Sequence, residues 1–267
     1  MGYTWIPAPT VRAKWHFLGV RGPLSASALG LSPTKAITDS ALLLRTLPCG
    51  RPLPDSERDG GVVFMPHHQS NSTGAWEEIC RRAGVRYLNP YGDSRKTLET
   101  LRRARLVLAD AMHAAIVADA LRVPWVPIVT SREISSFKWL DWTRSMNLEY
   151  SPVLIPPHNR SSQWREFILK ALRLERFYTP LDSETQLARW SAHFRSPPSP
   201  GDAFRMALRT RAGGKKVMHW IETFAGLGLF KKTDERVLDA AAKPLREAAC
   251  RPGHLSKEEF QLQKLVW

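Results

Sequence analysis

From Val62 onward the chain alternates short apolar runs with amphipathic stretches at a regular pitch. Val62 to Met65, Val85 to Leu88, Arg105 to Ala109 and Val126 to Val129 are brief runs rich in Val and Leu, the pattern of strands buried on both faces. Between them, Ala75 to Ala83, Ser94 to Ala104 and the alanine-rich segment from Ala114 to Leu121 carry apolar residues at helical spacing. Strands and helices alternating in this way predict a parallel sheet with helices on its faces. Right-handed crossovers then place the loops after Met65, Leu88, Ala109 and Val129 along one edge. That edge collects His67, His68, Asn71, Tyr91, Asp93, Asp110, His113, Ser131 and Glu133.

On either side of this region the pattern changes. Trp15 to Val20 reads as a short strand. Leu24 to Leu29 reads as a helix that Pro23 begins and Gly30 ends. Ile37 to Asp39 is a second short strand, Ala41 to Leu47 a short helix, and Pro48 to Gly61 a linker rich in turn residues. Beyond Pro156 the spacing is helical over Trp164 to Leu174, Glu184 to His193, Asp202 to Ala212, Val217 to Phe230 and Glu235 to Ala249. Ser196 to Gly201 is a linker, and Leu255 to Trp267 a short helix or a frayed end. The expected organisation is a partial N-terminal α/β unit over 1–55, a Rossmann-like α/β domain over 56–160 and a helical C-terminal region over 161–267. Two strands and two helices are fewer than most independent domains need, so the first unit is expected to dock on the second or to be the remainder of a larger domain.

Composition changes the picture in one respect. The 267 residues are 43% hydrophobic and 24% charged, ordinary for a globular chain, but the net charge is +14. Nucleic acid, an anionic membrane surface and phosphorylated substrates are the partners such a charge favours. The arginines are dispersed, however, and clusters such as Arg102-Arg103-Arg105 and Lys231-Lys232 are too short for a nucleic-acid arm, so no nucleic-acid partner is expected. Dispersed arginine is also what a GC-rich genome would leave on a surface. Cys49, Cys80 and Cys250 lie far apart, without metal-ligand spacing, and read as reduced thiols. Met1 to Pro9 lacks the pattern of a signal peptide, and no apolar run is long enough to span a bilayer. The expectation is a soluble cytoplasmic protein, with contact at the inner face of the membrane left open.

The sharpest candidate for chemistry is His113. It follows the strand ending at Ala109 and opens a helix, where free N–H groups and the helix dipole suit an anion. A histidine there binds phosphate or carries a proton near neutral pH; equally, it caps the helix or satisfies a buried contact.

Three stretches resemble the polysaccharide pyruvyl transferase family. Val20-Arg21-Gly22-Pro23-Leu24-Ser25, followed by Leu29-Gly30-Leu31 and Thr38-Asp39-Ser40-Ala41, is similar to that family's R-[EG]-x-x-S turn, its L-G and its D-P-A element. Met112-His113-Ala114-Ala115 resembles its R-L-H-A/G motif. Phe137-Lys138-Trp139-Leu140-Asp141-Trp142 resembles the ExoV-like branch, which is involved in ketal pyruvylation of exopolysaccharides such as succinoglycan. The matches run from about residue 15 to 155. The resemblance implies a GT-B-like fold with a Rossmann-type parallel sheet, here with a truncated N-terminal α/β unit and a helical C-terminal extension. It implies phosphoenolpyruvate as donor substrate, a saccharide acceptor that can be lipid-linked, and no cofactor. Arg21 and His113 carry over as the residues around phosphoenolpyruvate, with Met112 in the leucine position. Two departures stand out: no N-x-G-D-type loop precedes Arg21, and Asp110-Ala111 replaces the usual Ser-Arg. Together they carry the expectation of a deficient N-terminal domain and little or no transferase activity in this chain alone.

Phosphoenolpyruvate is a phosphate and a carboxylate on a vinyl core, so its site needs cations, N–H donors and one acid–base group. Arg21 suits bidentate pairing with either anion, or is a surface arginine at a turn. His113 is the best acid–base group, tuned by Asp110 or by the helix start. His67 and His68 share the same edge and either bind phosphate or are solvated. Metal binding is not expected, since no carboxylate or cysteine lies at ligand spacing. Lys138, between Phe137 and Trp139, reads either as a cation flanked by aromatics for a sugar phosphate or as a snorkelling lysine in an aromatic loop. Glu133 and Asp141 either bind sugar hydroxyls or pair with Arg132 and Arg144, and Asp39 is expected to cap the following helix. The basic amphipathic stretch Val217 to Lys232 suits either an anionic lipid surface or packing on the domain. Three other readings stay open: a GT-B-like glycosyltransferase, a non-catalytic module binding phosphorylated ligands, and, from charge alone, a nucleic-acid binder.

Overall fold

A computed structural model of the protein describes residues 15–71, 75–157, 159–171, 175–195, 243–251 and 253–254. The apolar runs read from the sequence become the strands of one parallel sheet. β1 (Val62–Met65), β2 (Arg86–Tyr87), β3 (Leu106–Ala109), β4 (Trp125–Val129) and β5 (Val153–Leu154) lie in the order β2-β1-β3-β4-β5. Registers such as Val63 with Val107 and Leu108 with Val126 hold the three central strands together.

Two-residue alternation sorts the strand side chains onto two faces. Val63, Val107, Ala109, Trp125 and Val129 face one core. Phe64, Leu106, Leu108, Val126, Ile128 and Val153 face the other. The first face is covered by α5 (Met112–Ala120), α6 (Ser136–Ser145) and Leu101 of α4 (Ser94–Arg103). The second is covered by α3 (Trp76–Ala83), through Trp76, Ile79 and Cys80, and by a helical segment over 243–249, through Leu245 and Ala248. His254 forms an antiparallel bridge with Trp125 beyond that segment. The result is an α/β fold with a parallel sheet between helical layers.

The residues before β1 pack on the first face. The expected strand at Trp15 to Val20 is absent. Val20 makes one parallel bridge to Ala36, while Trp15 and Leu18 are 43% and 86% exposed. Ile37 to Asp39 likewise forms no strand, and the expected helix after it is a 3-10 helix over Ser40–Thr46 that packs on α5. Helix α1 (Pro23–Leu29) is as expected, with Pro23 in its first turn and Gly30 closing it at φ 66°, a conformation that favours glycine. It packs on α6 and on α8 (Ser183–Arg195).

Besides short 3-10 turns, three elements were not evident from the pattern: the short helix α2 (His68–Asn71), which lies in the loop expected after Met65, α6 and β5. Eight of the ten residues of α6 are buried, so it has no polar stripe to mark it as a helix. α7 (Arg160–Ala171) and α8 correspond to the first two helices expected beyond Pro156. The expected helices Asp202 to Ala212 and Val217 to Phe230, the C-terminal Leu255 to Trp267 and most of Glu235 to Ala249 lie outside the described residues. Among the described residues no helix is long and apolar enough to cross a membrane.

Candidate functional site

The chain leaves β1 toward β2 on one side, and β3 lies on the other, so a crevice opens at the carboxyl ends of β1 and β3. Asp110, the first residue after β3, organises its floor. Its carboxylate is fully buried and meets four donors. Oδ2 accepts from His67 N (2.7 Å), Ser70 Oγ (2.6 Å) and Thr130 Oγ1 (2.8 Å), and Oδ1 accepts from Thr130 N (3.1 Å). Burial raises its pKa, and these hydrogen bonds hold the rise back. Asp110 thus ties the loops after β1, β3 and β4 together. It does not tune His113, as the sequence had allowed, because its side chain turns into the floor while the helix start carries His113 outward.

The acidic neighbour of His113 is Asp39. Arg21 Nε donates to Asp39 Oδ2 at 2.8 Å, and both side chains are nearly buried. Asp39 Oδ1 accepts from Ala41 N at 3.0 Å, the expected cap, and stands 3.8 Å from His113 Nε2. Burial acts to raise the Asp39 pKa, but the Ala41 N–H, Arg21 and His113 outweigh it and the net shift is downward. Partial burial, with the charges of Arg21 and Lys138, holds His113 below its usual value against the pull of Asp39. The His113 side chain is 65% exposed, so solvent screens both pulls. Arg21 and His113, far apart in sequence, therefore share one carboxylate.

Lys138 projects to the same edge from the first turn of α6, where Ser135 accepts its backbone N–H at 3.3 Å. Burial, then Arg21 and Arg176, lower its pKa to about 8. Its aromatic neighbours are not a sugar platform. Phe137 stacks on Trp190 and Trp139 on Tyr150, both within the first core. Met112, at the start of α5, is partly buried against that core. His67 and His68 stand with ring centroids 4.2 Å apart. Burial, then His68, Lys138, Arg165 and Arg176, push His67 down to about 3, and His68 is lowered mainly by burial with Glu133 opposing. Tyr91 closes the outer side by donating to His68 O at 2.9 Å.

The remaining acidic candidates are engaged elsewhere. Glu133 pairs with the buried Arg165, which also donates to Gln69 O at 2.5 Å. Arg132 pairs with Glu166 and Glu175, each at 3.3 Å, and not with Glu133. Asp141 accepts from Ser25 N (3.0 Å) and Ser25 Oγ (2.5 Å), and so caps α1 from α6 instead of facing a sugar. A surface cavity of about 540 Å³, lined by Asn71, Trp76, Glu78 and Tyr87 among others, shares no residue with the cation cluster. Among the described residues no group of three or more His, Cys, Asp or Glu could hold a metal ion.

One consequence is measurable in stability. His67 folds with its pKa near 3, whereas the unfolded histidine titrates near 6.5. Between those values the unfolded state binds more protons, so stability falls as pH drops below about 6.5. His68 acts with the same sign. Urea unfolding at pH 7.5 and pH 5 should give a smaller loss in His67→Asn than in the unmodified protein. An unchanged difference would remove His67 as the source.

The sequence has relatives among known proteins. Residues 10–132 match the model of a family described as polysaccharide pyruvyl transferase. The succinoglycan biosynthesis protein ExoV of Rhizobium meliloti (strain 1021) is 35% identical over 160 residues, covering 60% of this chain and 50% of that protein. The chain thus spans about half the length of the curated relative it matches. No solved structure matches it. Arg21, Asp39 and His113 fall inside the family match, and Lys138 and Arg176 fall beyond it.

Proposed function

We propose, from the premise that this chain belongs over residues 10–132 to the polysaccharide pyruvyl transferase family, that the crevice takes phosphoenolpyruvate and passes its pyruvyl group to a saccharide as a ketal. The observation that carries this reading is the convergence of Arg21, Lys138 and His113, from three separate segments, at the carboxyl edge of the sheet. A planar guanidinium and an ammonium suit the two anionic groups of the donor. Ketal formation needs C3 of the donor protonated, so that C2 becomes electrophilic toward a sugar hydroxyl. Each attacking hydroxyl gives up a proton: overall one equals the proton gained at C3, and the other leaves on the phosphate, whose bond to C2 breaks as the second sugar oxygen bonds to C2. His113, held below its usual pKa and exposed at its side chain, takes the hydroxyl proton.

The wider reading follows the same premise. The order β2-β1-β3-β4-β5 supports a Rossmann-type sheet, and the family supports a GT-B-like pairing of this domain, over about 56–160, with the unit before it. A lipid-linked saccharide as acceptor would set the protein at the inner face of the membrane. ExoV is named for succinoglycan biosynthesis, which makes an exopolysaccharide repeat unit the acceptor class to try first.

Calorimetric titration with phosphoenolpyruvate tests the donor site. Arg21→Lys keeps the charge but loses the fork, and should weaken binding by roughly 1–3 kcal/mol. Affinity should also fall as pH rises through about 8, because the bound anion stabilises protonated Lys138 and binding above that pH must take up a proton. Equal affinity in Arg21→Lys and the unmodified protein would sink the assignment of Arg21.

A further inference from the structure

The segment 175–180, between α7 and α8, brings Arg176 to the edge where His67, His68 and Lys138 stand. Its neighbours are matched in charge: Glu175 and Glu166 are taken by Arg132, and Glu133 by Arg165. Among the described residues no carboxylate pairs with the Arg176 guanidinium itself. It is half-buried, and its charge adds to that of Arg21 at the Lys138 ammonium, so the three cations repel one another until an anion joins them.

The backbone enforces that position. Arg176 N donates to Arg132 O at 2.7 Å, and Arg176 O accepts from Ser136 N at 3.2 Å. The buried Ser136 hydroxyl accepts from Tyr178 N at 2.9 Å and lies 2.7 Å from Gln186 Oε1. Gln186, 1% exposed, donates from Nε2 to Tyr178 O (3.0 Å) and Pro180 O (2.9 Å). A buried amide and a buried hydroxyl are thus committed to holding the strap, and they set Arg176 beside the first turn of α6, which carries Lys138.

We infer that Arg176 is the second cationic arm of the anion site, joining Arg21 and Lys138 from a separate segment, so that the site selects a ligand with two anionic groups on a short carbon core over one with a single anionic group. The inference rests on the donor site proposed above. It adds a binding residue from outside the family match, and it places the carboxylate and the phosphate of the donor at different arginines.

The experiment is calorimetric titration of the full chain with phosphoenolpyruvate, inorganic phosphate and pyruvate. The unmodified protein should bind phosphoenolpyruvate more tightly than either half. Arg176→Gln should weaken phosphoenolpyruvate roughly ten- to hundred-fold, the range of a charge-assisted hydrogen bond, and bring it toward the weaker of the halves. Arg189→Ala removes the cation resting on the Tyr178 ring of the same strap (4.9 Å) and should leave affinity within about two-fold, which separates loss of the arm from damage to the strap. Melting temperatures of both variants report whether either has failed to fold. If Arg176→Ala also fails to weaken phosphoenolpyruvate while Arg21→Lys does, the second arm is wrong and the donor site stands. If the unmodified protein does not bind phosphoenolpyruvate, the donor site falls and the arm with it.

Discussion

Asp110→Ala should destabilise the protein by about 3 kcal/mol or more, since it strands buried donors at the centre of the sheet edge. All four groups facing the carboxylate are donors: two backbone N–H groups, from His67 and Thr130, and two hydroxyls, from Ser70 and Thr130. Each oxygen meets one of the two backbone N–H groups, so an acceptor is needed on both, which the aspartate carboxyl provides. Asp110→Asn presents an amide N–H₂ to that set and should recover little of the loss. The loops it joins carry His67 and precede Glu133, so the crevice should loosen as stability falls. Urea unfolding at pH 7.5 measures the first effect, and phosphoenolpyruvate affinity at a temperature where the variant is still folded measures the second. A midpoint for Asp110→Ala equal to that of the unmodified protein would falsify this account of the floor.

His113→Ala should have the larger effect on chemistry and a small one on stability. The side chain is mostly exposed, so its removal strands no buried group. For the reaction proposed above, loss of a positioned acid–base group costs about 10²–10⁴-fold in turnover, measured as phosphate release and ketal formation with phosphoenolpyruvate and a lipid-linked oligosaccharide. The pH dependence fixes the sign. His113 is held below its usual pKa, so the rate should fall on the acid side as the imidazole protonates. Asp39 is the group pulling that value up. Asp39→Asn should therefore move the acid limb to lower pH, while His113→Ala should abolish the limb. An acid limb that stays in place in both variants would assign it to another group.

Much of the scaffold was legible because it is local. β1 covers the residues expected of it, and β3, β4 and the helices α3, α4 and α5 fall within a few residues of their expected bounds. A strand buried on both faces and a helix with one buried stripe each write their period into the sequence. The stretches Trp15 to Val20 and Ile37 to Asp39 have strand-like composition, but a strand forms only where a neighbour completes its hydrogen bonds, and among the described residues Val20 and Ala36 bridge only to each other. α6 failed in the opposite sense: buried almost all round, it offered aromatics without a period and read as a loop.

By itself the sequence determined that a parallel α/β sheet would gather the post-strand loops, His113 among them, on one edge, and the family resemblance added Arg21. Tertiary structure decided what surrounds them. Asp110 is close to His113 in the chain yet belongs to the floor, because successive residues at a strand-to-helix turn point in different directions. Asp39 is far from both Arg21 and His113 in the chain yet stands between them. Asp141 looked suited to a sugar and instead caps α1 across a helix–helix contact. Arg176 carried no local signal at all, since its position depends on the buried Ser136 and Gln186 that hold its strap. Periodicity reports how a segment meets its own layer of the core, whereas the partners of a charged side chain are set by which distant segments the packed layers bring within reach of it.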